Sequence, residues 1–118
     1  MGLVFLLHFR IIPIMRTVTG TPILIKHAEE LWSAKERGEF SSRIAENPEA
    51  GDLIAGSGGS RKERWAASVR GKRGGARVIY FLQQGHTVWL LIVYTQAKFD
   101  DPPTDFLVEL KKGIEDAL

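Results

Sequence analysis

Residues 77–95 read RVIYFLQQGHTVWLLIVYT: two apolar runs, Arg77 to Leu82 and Val88 to Thr95, around the glycine-bearing turn Gln83 to His86. Val, Ile, Tyr, Trp and Leu suit a pleated backbone, and a short glycine turn between two such runs signals a hairpin. The second run is apolar almost without alternation, which suits a central strand covered on both faces. Upstream, Arg64 to Ser68 is a third run of this kind, joined to the hairpin by the turn Arg70 to Gly75. Together they predict an antiparallel meander.

Working outward, Asp100-Asp101-Pro102-Pro103 can be neither helix nor central strand, and Thr104 is placed to cap a closing helix. Leu107, Leu110, Ile114 and Leu118 recur at helical spacing and form its buried stripe. On the other side, TPILI at Thr21 to Ile25 reads as an opening strand, with Pro22 at its first residues or on an edge. Ala28, Leu31 and Trp32, then Phe40 and Ile44, keep helical spacing up to Glu46. That stretch is one helix broken near Gly38 or two short ones, stopped by Asn47-Pro48. GDLIAGSGG, residues 51–59, is too rich in glycine for a regular element. The order predicts an α+β domain, a small curved, mainly antiparallel sheet packed against two or three helices on one side.

With 118 residues, 44% of them hydrophobic, the chain is long enough for one domain with one core. It has no cysteine, so disulfides, cysteine-based zinc sites and cysteine nucleophiles are excluded. Residues 1–14, MGLVFLLHFRIIPI, are apolar, but Arg10 interrupts them and no basic region precedes them. They are too few to span a membrane. They read as an upstream extension or an extra first strand, and the domain itself is expected over residues 15–118.

Sixteen Lys and Arg against fourteen Asp and Glu look balanced, but between Ser60 and Arg77 seven bases face one acid, Glu63. The bases are Arg61, Lys62, Arg64, Arg70, Lys72, Arg73 and Arg77. Concentrated positive charge points to a polyanionic partner. Neither glycine cluster builds a phosphate loop: Ala66 stands where the first glycine is needed, and Arg73 where a magnesium-binding hydroxyl would be. His8, His27 and His86 are scattered, and Glu29-Glu30 and Asp100-Asp101 project apart, so neither a metal site nor a carboxylate pair is expected. No cofactor is implied.

The basic residues form a more specific pattern. Lys62 and Arg64, two apart on a strand, share a face, and Arg77 can lie beside Arg64 across an antiparallel pair. Such a cluster could cleave RNA. A lysine helps remove the ribose 2′ proton, guanidinium groups neutralise the phosphorane, and a further cation protects the leaving oxygen. The same cations would serve equally in a strand edge that only contacts phosphate. Tyr80 and Trp65 could stack on a base, or could pack in the core.

The motifs NPEAGDLI, GSGG-x-RK-x-R and GKRGGARVIY, followed by the apolar strand ending in Tyr94, occur in a fixed order. In this the chain resembles the RelE-type toxins of bacterial type II toxin–antitoxin modules, nearest to the HigB-like branch. The resemblance implies a cytoplasmic, metal-independent endoribonuclease that cuts messenger RNA on the ribosome and is held in check by a cognate antitoxin, often a helix-turn-helix protein. It implies Lys62, Arg64 and Arg77 as catalytic residues, with Arg61, Arg70, Lys72, Arg73 and Tyr80 expected to contact RNA. Relatives tend to have a lysine two residues beyond the strand-ending tyrosine. Here that position is Gln96, and Lys98 is the nearest substitute. That departure keeps an alternative open: a toxin of this fold, or a degenerate one, that acts by binding as a gyrase poison or an RNA- or antitoxin-binding module.

Because MRTVTGTPILIK carries the resemblance and residues 1–14 do not, a chain started at Met15 should fold and stay soluble. Circular dichroism and size-exclusion chromatography check this. Loss of folding would make the leader a structural strand.

Overall fold

The computed structural model describes residues 16–65, 75–95 and 102–117. β1 (Thr17–Gly20) leads into α1 (Pro22–Leu31) and α2 (Ala34–Glu46). β2 (Asp52–Leu53), β3 (Arg61–Trp65), β4 (Ala76–Gln83) and β5 (Thr87–Thr95) follow, and α3 (Thr104–Ala117) closes the chain. The five strands form one mixed sheet in the order β1-β5-β4-β3-β2, with β1 parallel to β5 and the other pairs antiparallel. The predicted meander is present, and the fold is α+β.

TPILI is helical rather than extended. Thr21 caps α1: its hydroxyl accepts from the Leu24 N–H at 3.2 Å and donates to the Leu91 carbonyl at 2.8 Å. Pro22 then occupies the first turn, where a missing N–H costs nothing. Burial of Leu24 and Ala28 outweighs the β-branched composition, and the opening strand lies just upstream, at Thr17–Gly20. The helical stretch divides at Trp32–Ser33, not at Gly38. Ser33 and Glu36 form a reciprocal capping box that starts α2, while Gly38 sits within the helix facing open space.

The two faces of the sheet carry separate cores. Leu24 and Ala28 of α1, Trp32 between the two helices, and Phe40 and Ile44 of α2 pack on Val78, Tyr80, Val88, Leu90 and Val93. Leu107, Leu110 and Ile114 of α3 pack on Ile79, Phe81, Leu91 and Tyr94. Since 78 and 80 alternate with 79 and 81, the helices cover both faces, which corrects the expectation of one-sided cover. A bulge between Ile79 and Tyr80 of β4 leaves Leu91 as an extra residue on β5, so Leu91 and Ile92 both join the α3 side. That is why VWLLIVY shows no clean alternation.

β3 begins at Arg61, three residues before the expected start, and the rest of that run, Ala66 to Ser68, lies outside the described residues. Within the expected 51–59 loop, Asp52 and Leu53 form the two-residue edge strand β2. Leu118, Gln96 and the leader also lie outside the described residues.

Tyr80 ties the β2 approach to the core. It is fully buried, and its hydroxyl accepts from the Gly51 N–H at 2.9 Å and donates to the Pro48 carbonyl at 2.8 Å. A Cβ at Gly51 would stand 2.8 Å from both the Tyr80 hydroxyl and the Lys62 carbonyl, so only glycine allows this approach. Tyr80→Phe should cost about 2 kcal/mol in urea unfolding, because it strands a buried donor and a buried acceptor. Burial, with a smaller contribution from nearby Glu63, raises the Tyr80 pKa above its ordinary 10.0, against the opposing Gly51 hydrogen bond. The folded state therefore keeps this proton longer than the unfolded state. Stability should fall as the pH rises above about 10, and Tyr80→Phe should flatten that fall.

Candidate functional site

The register of β3 on β4 decides which basic residues meet. Arg64 lies directly opposite Arg77, and Lys62 opposite Ile79. On the far side of β4, Tyr94 faces Arg77 and Ile92 faces Ile79. Because strand side chains alternate, Lys62, Arg64 and Arg77 rise from the face that carries Ile79. Lys62 and Arg64 are about 7 Å apart along β3, and Arg64 and Arg77 are nearest neighbours across the strands, with Cβ atoms about 5 Å apart. Arg64 is exposed and Lys62 and Arg77 are half-buried. The three predicted cations therefore form one compact row.

The strands beneath this row are fixed by packing on both faces of the sheet. Ile79, fully buried against the α3-side core, anchors β4 two residues beyond Arg77. On the opposite face, Val78 is buried with Phe40 and Ile44, and Trp65 meets Phe40 edge-on at 5.4 Å between ring centres. The cations thus project from backbone fixed by packing on both sides.

The remaining residues of β3 serve the other face. Arg61 donates to the Gly51 carbonyl at 2.8 Å and to the Glu49 carbonyl at 3.3 Å, so its guanidinium clamps the 49–51 segment. It lies on the face away from Lys62 and Arg64. Glu63, the one acid of the basic segment, is nearly buried and pairs with Arg43 at 3.1 Å. Arg43 also stands 5.4 Å over the Trp65 ring. The acid is thereby neutralised away from the cation row.

Tyr80 does not fit the RNA contact read for it. It is fully buried on the α1–α2 side with its hydroxyl engaged twice, so no ring face is left for a base. Trp65 packs against the same core. Arg70, Lys72, Arg73 and Lys98 lie outside the described residues.

One feature of the site has no clear signal in the sequence. A cleft of about 290 Å³ opens between β2 and the start of α3, lined by Asp52, Leu53, Ile54, Lys62, Ile79, Pro102 and Leu107. It is hidden in the glycine-rich 51–59 segment, where a two-residue strand leaves no periodicity to read. Larger cavities of about 330 and 670 Å³ lie on the α1–α2 side, and none of the predicted cations lines them. Among the described residues no group of three or more His, Asp or Glu could hold a metal ion, and no helix is long and apolar enough to cross a membrane.

The fold has a solved counterpart. A double arginine-to-alanine mutant of the E. coli toxin RelE, in the free state, superposes with a TM-score of 0.54 at 16% identity, covering 89% of this chain and 100% of that one. At that identity the likeness establishes a RelE-like fold. No family model matches the chain.

Proposed function

We propose that this chain is the toxin of a type II toxin–antitoxin module, of the HigB-like branch, and that it arrests translation by cutting messenger RNA on the ribosome. The observation that carries this reading is the Arg64–Arg77 pair with Lys62 on the same face of a RelE-like sheet. In the reaction, the ribose 2′ oxygen attacks the adjacent phosphorus, the P–O5′ bond breaks, and a 2′,3′-cyclic phosphate and a 5′ hydroxyl result. Lys62 takes the 2′ proton. Arg64 and Arg77 hold the phosphorane charge with paired hydrogen bonds. Lys98 is the candidate donor to the leaving oxygen. Lysine and arginine side chains can serve each of these steps, and the ribosome supplies the positioning that so small a site lacks. Such a protein acts in the cytoplasm, on ribosomes and messenger.

The second reading, a toxin or degenerate toxin that only binds, rests on Gln96 in place of a lysine. Induced expression separates the two. The nuclease leaves cut messenger and unchanged DNA supercoiling, a gyrase poison alters supercoiling, and a binding module does neither.

Arg77→Ala should reduce cleavage of ribosome-bound messenger a hundredfold or more, about 3 kcal/mol of transition-state stabilisation, with the melting temperature and antitoxin binding retained. Arg77→Lys, which keeps the charge but loses the fork, should fall between wild type and Ala. Lys62→Ala and Arg64→Ala should also suppress cleavage. Equal cleavage by wild type and Arg77→Ala would overturn this placement.

A segment of such positive charge needs neutralising while the toxin is idle. The antitoxin should supply acidic residues to Arg70, Lys72 and Arg73, since Arg61, also expected to face it, is committed to the Glu49 and Gly51 carbonyls. Reversing these three charges should therefore weaken the complex, and an unchanged affinity in calorimetry would move the antitoxin to an apolar surface.

A further inference from the structure

We propose that the cleft between β2 and α3 is a nucleobase pocket, and that Asp52 at its wall selects bases that present amino donors, guanine above all. The identity of the ligand as RNA rests on the ribonuclease reading.

The cleft has the chemistry of a base site. Its volume of about 290 Å³ is at the lower end of the range for small-molecule pockets. Leu53, Ile54 and Pro102 supply apolar surface for a base above a floor of buried Ile79 and Leu107, and the charged groups of the lining are Lys62 and Asp52 alone. Asp52 is the register partner of Lys62, so their side chains rise side by side from the face that carries Arg64 and Arg77. A nucleotide with its phosphate on the cation row thus has this cleft beside it.

The walls are held in place. Ile79 and Leu107 are almost wholly buried at the base of the α3-side core. Lys111 of α3 donates to the Gly58 carbonyl at 2.6 Å, which ties the loop after β2 to the helix across the cleft. The Ile54 N–H bonds the Ser60 carbonyl at 2.9 Å and closes that loop on itself. Asp52 itself is exposed, with its carboxylate outside every ion pair of the described residues. The structure around it is built, and the acid has no structural duty there.

An ionised carboxylate only accepts hydrogen bonds. Guanine offers it adjacent N1–H and N2–H donors, one for each oxygen. Adenine and cytosine each offer one amino group, and uracil offers an N3–H flanked by two carbonyls that repel the acid. RNA bases splayed from a single strand are read on this edge.

The test compares wild type, Asp52→Asn and Asp52→Ala, each checked for native circular dichroism. Guanosine and uridine 3′-monophosphates are titrated by NMR, and ribosome-bound messengers carrying each base at each A-site codon position are assayed for cleavage. Wild type should bind the guanosine nucleotide about tenfold more tightly than the uridine one, and Asp52→Asn should bring the ratio close to one. A guanine preference at one codon position should fall in parallel. No preference in wild type, or a preference unmoved by Asp52→Asn, would overturn the proposal. If no messenger is cut but the nucleotide ratios behave as expected, the nuclease reading fails and the pocket stands. If messenger is cut with a base preference that ignores Asp52, the nuclease reading stands and the pocket fails.

Discussion

The pairing of Arg64 with Arg77 across β3 and β4 places two guanidinium groups beside each other on one face of the sheet. A slip of one residue would turn Lys62 and Arg64 to the other face and drive Glu63 toward Ile79, so the site exists in one register only. Three features on the opposite face pin that register. Trp65 packs edge-on against Phe40, Glu63 meets Arg43, and Arg61 grips the carbonyls of Glu49 and Gly51. Tyr80, the register partner of Arg61, adds its two hydrogen bonds to the same segment.

β3 therefore divides its work between its two faces. Arg61, Glu63 and Trp65 commit their polar and aromatic groups to one face, while Lys62 and Arg64 rise from the other. The row rests on the apolar strands β4 and β5, covered on both faces by helices. The edge strand β2 adds Asp52 next to Lys62, which brings a carboxylate to the border of an otherwise cationic surface.

Much of this was legible in the sequence because strand alternation is a local rule. Residues two apart on a strand share a face, and the glycine-rich sequence before Arg77 signals a return of the chain beside Arg64, so the cation row could be read from spacing. α2, the hairpin and the stripe of α3 were legible for similar reasons. Thr21 to Ile25 was not, because β-branched composition and cap chemistry point in opposite directions there, and the Thr21 cap with Pro22 prevailed. The side on which α3 lands is a tertiary outcome that its own amphipathic pattern does not encode. Nor does anything near Tyr80 reveal that its hydroxyl is claimed by Pro48 and Gly51, about thirty residues away. β2 was hidden because two residues carry no periodicity.

The central claim is that a row of lysine and arginine side chains drives attack by the messenger's own 2′ oxygen. The chemical ends of the cut RNA test it most directly. Ribosome-bound messenger cleaved by the purified protein should carry a 2′,3′-cyclic phosphate on the upstream fragment and a 5′ hydroxyl on the downstream one, as read by mass spectrometry. A 5′ phosphate on the downstream fragment would show that water, not the ribose, was the nucleophile, and would contradict the account.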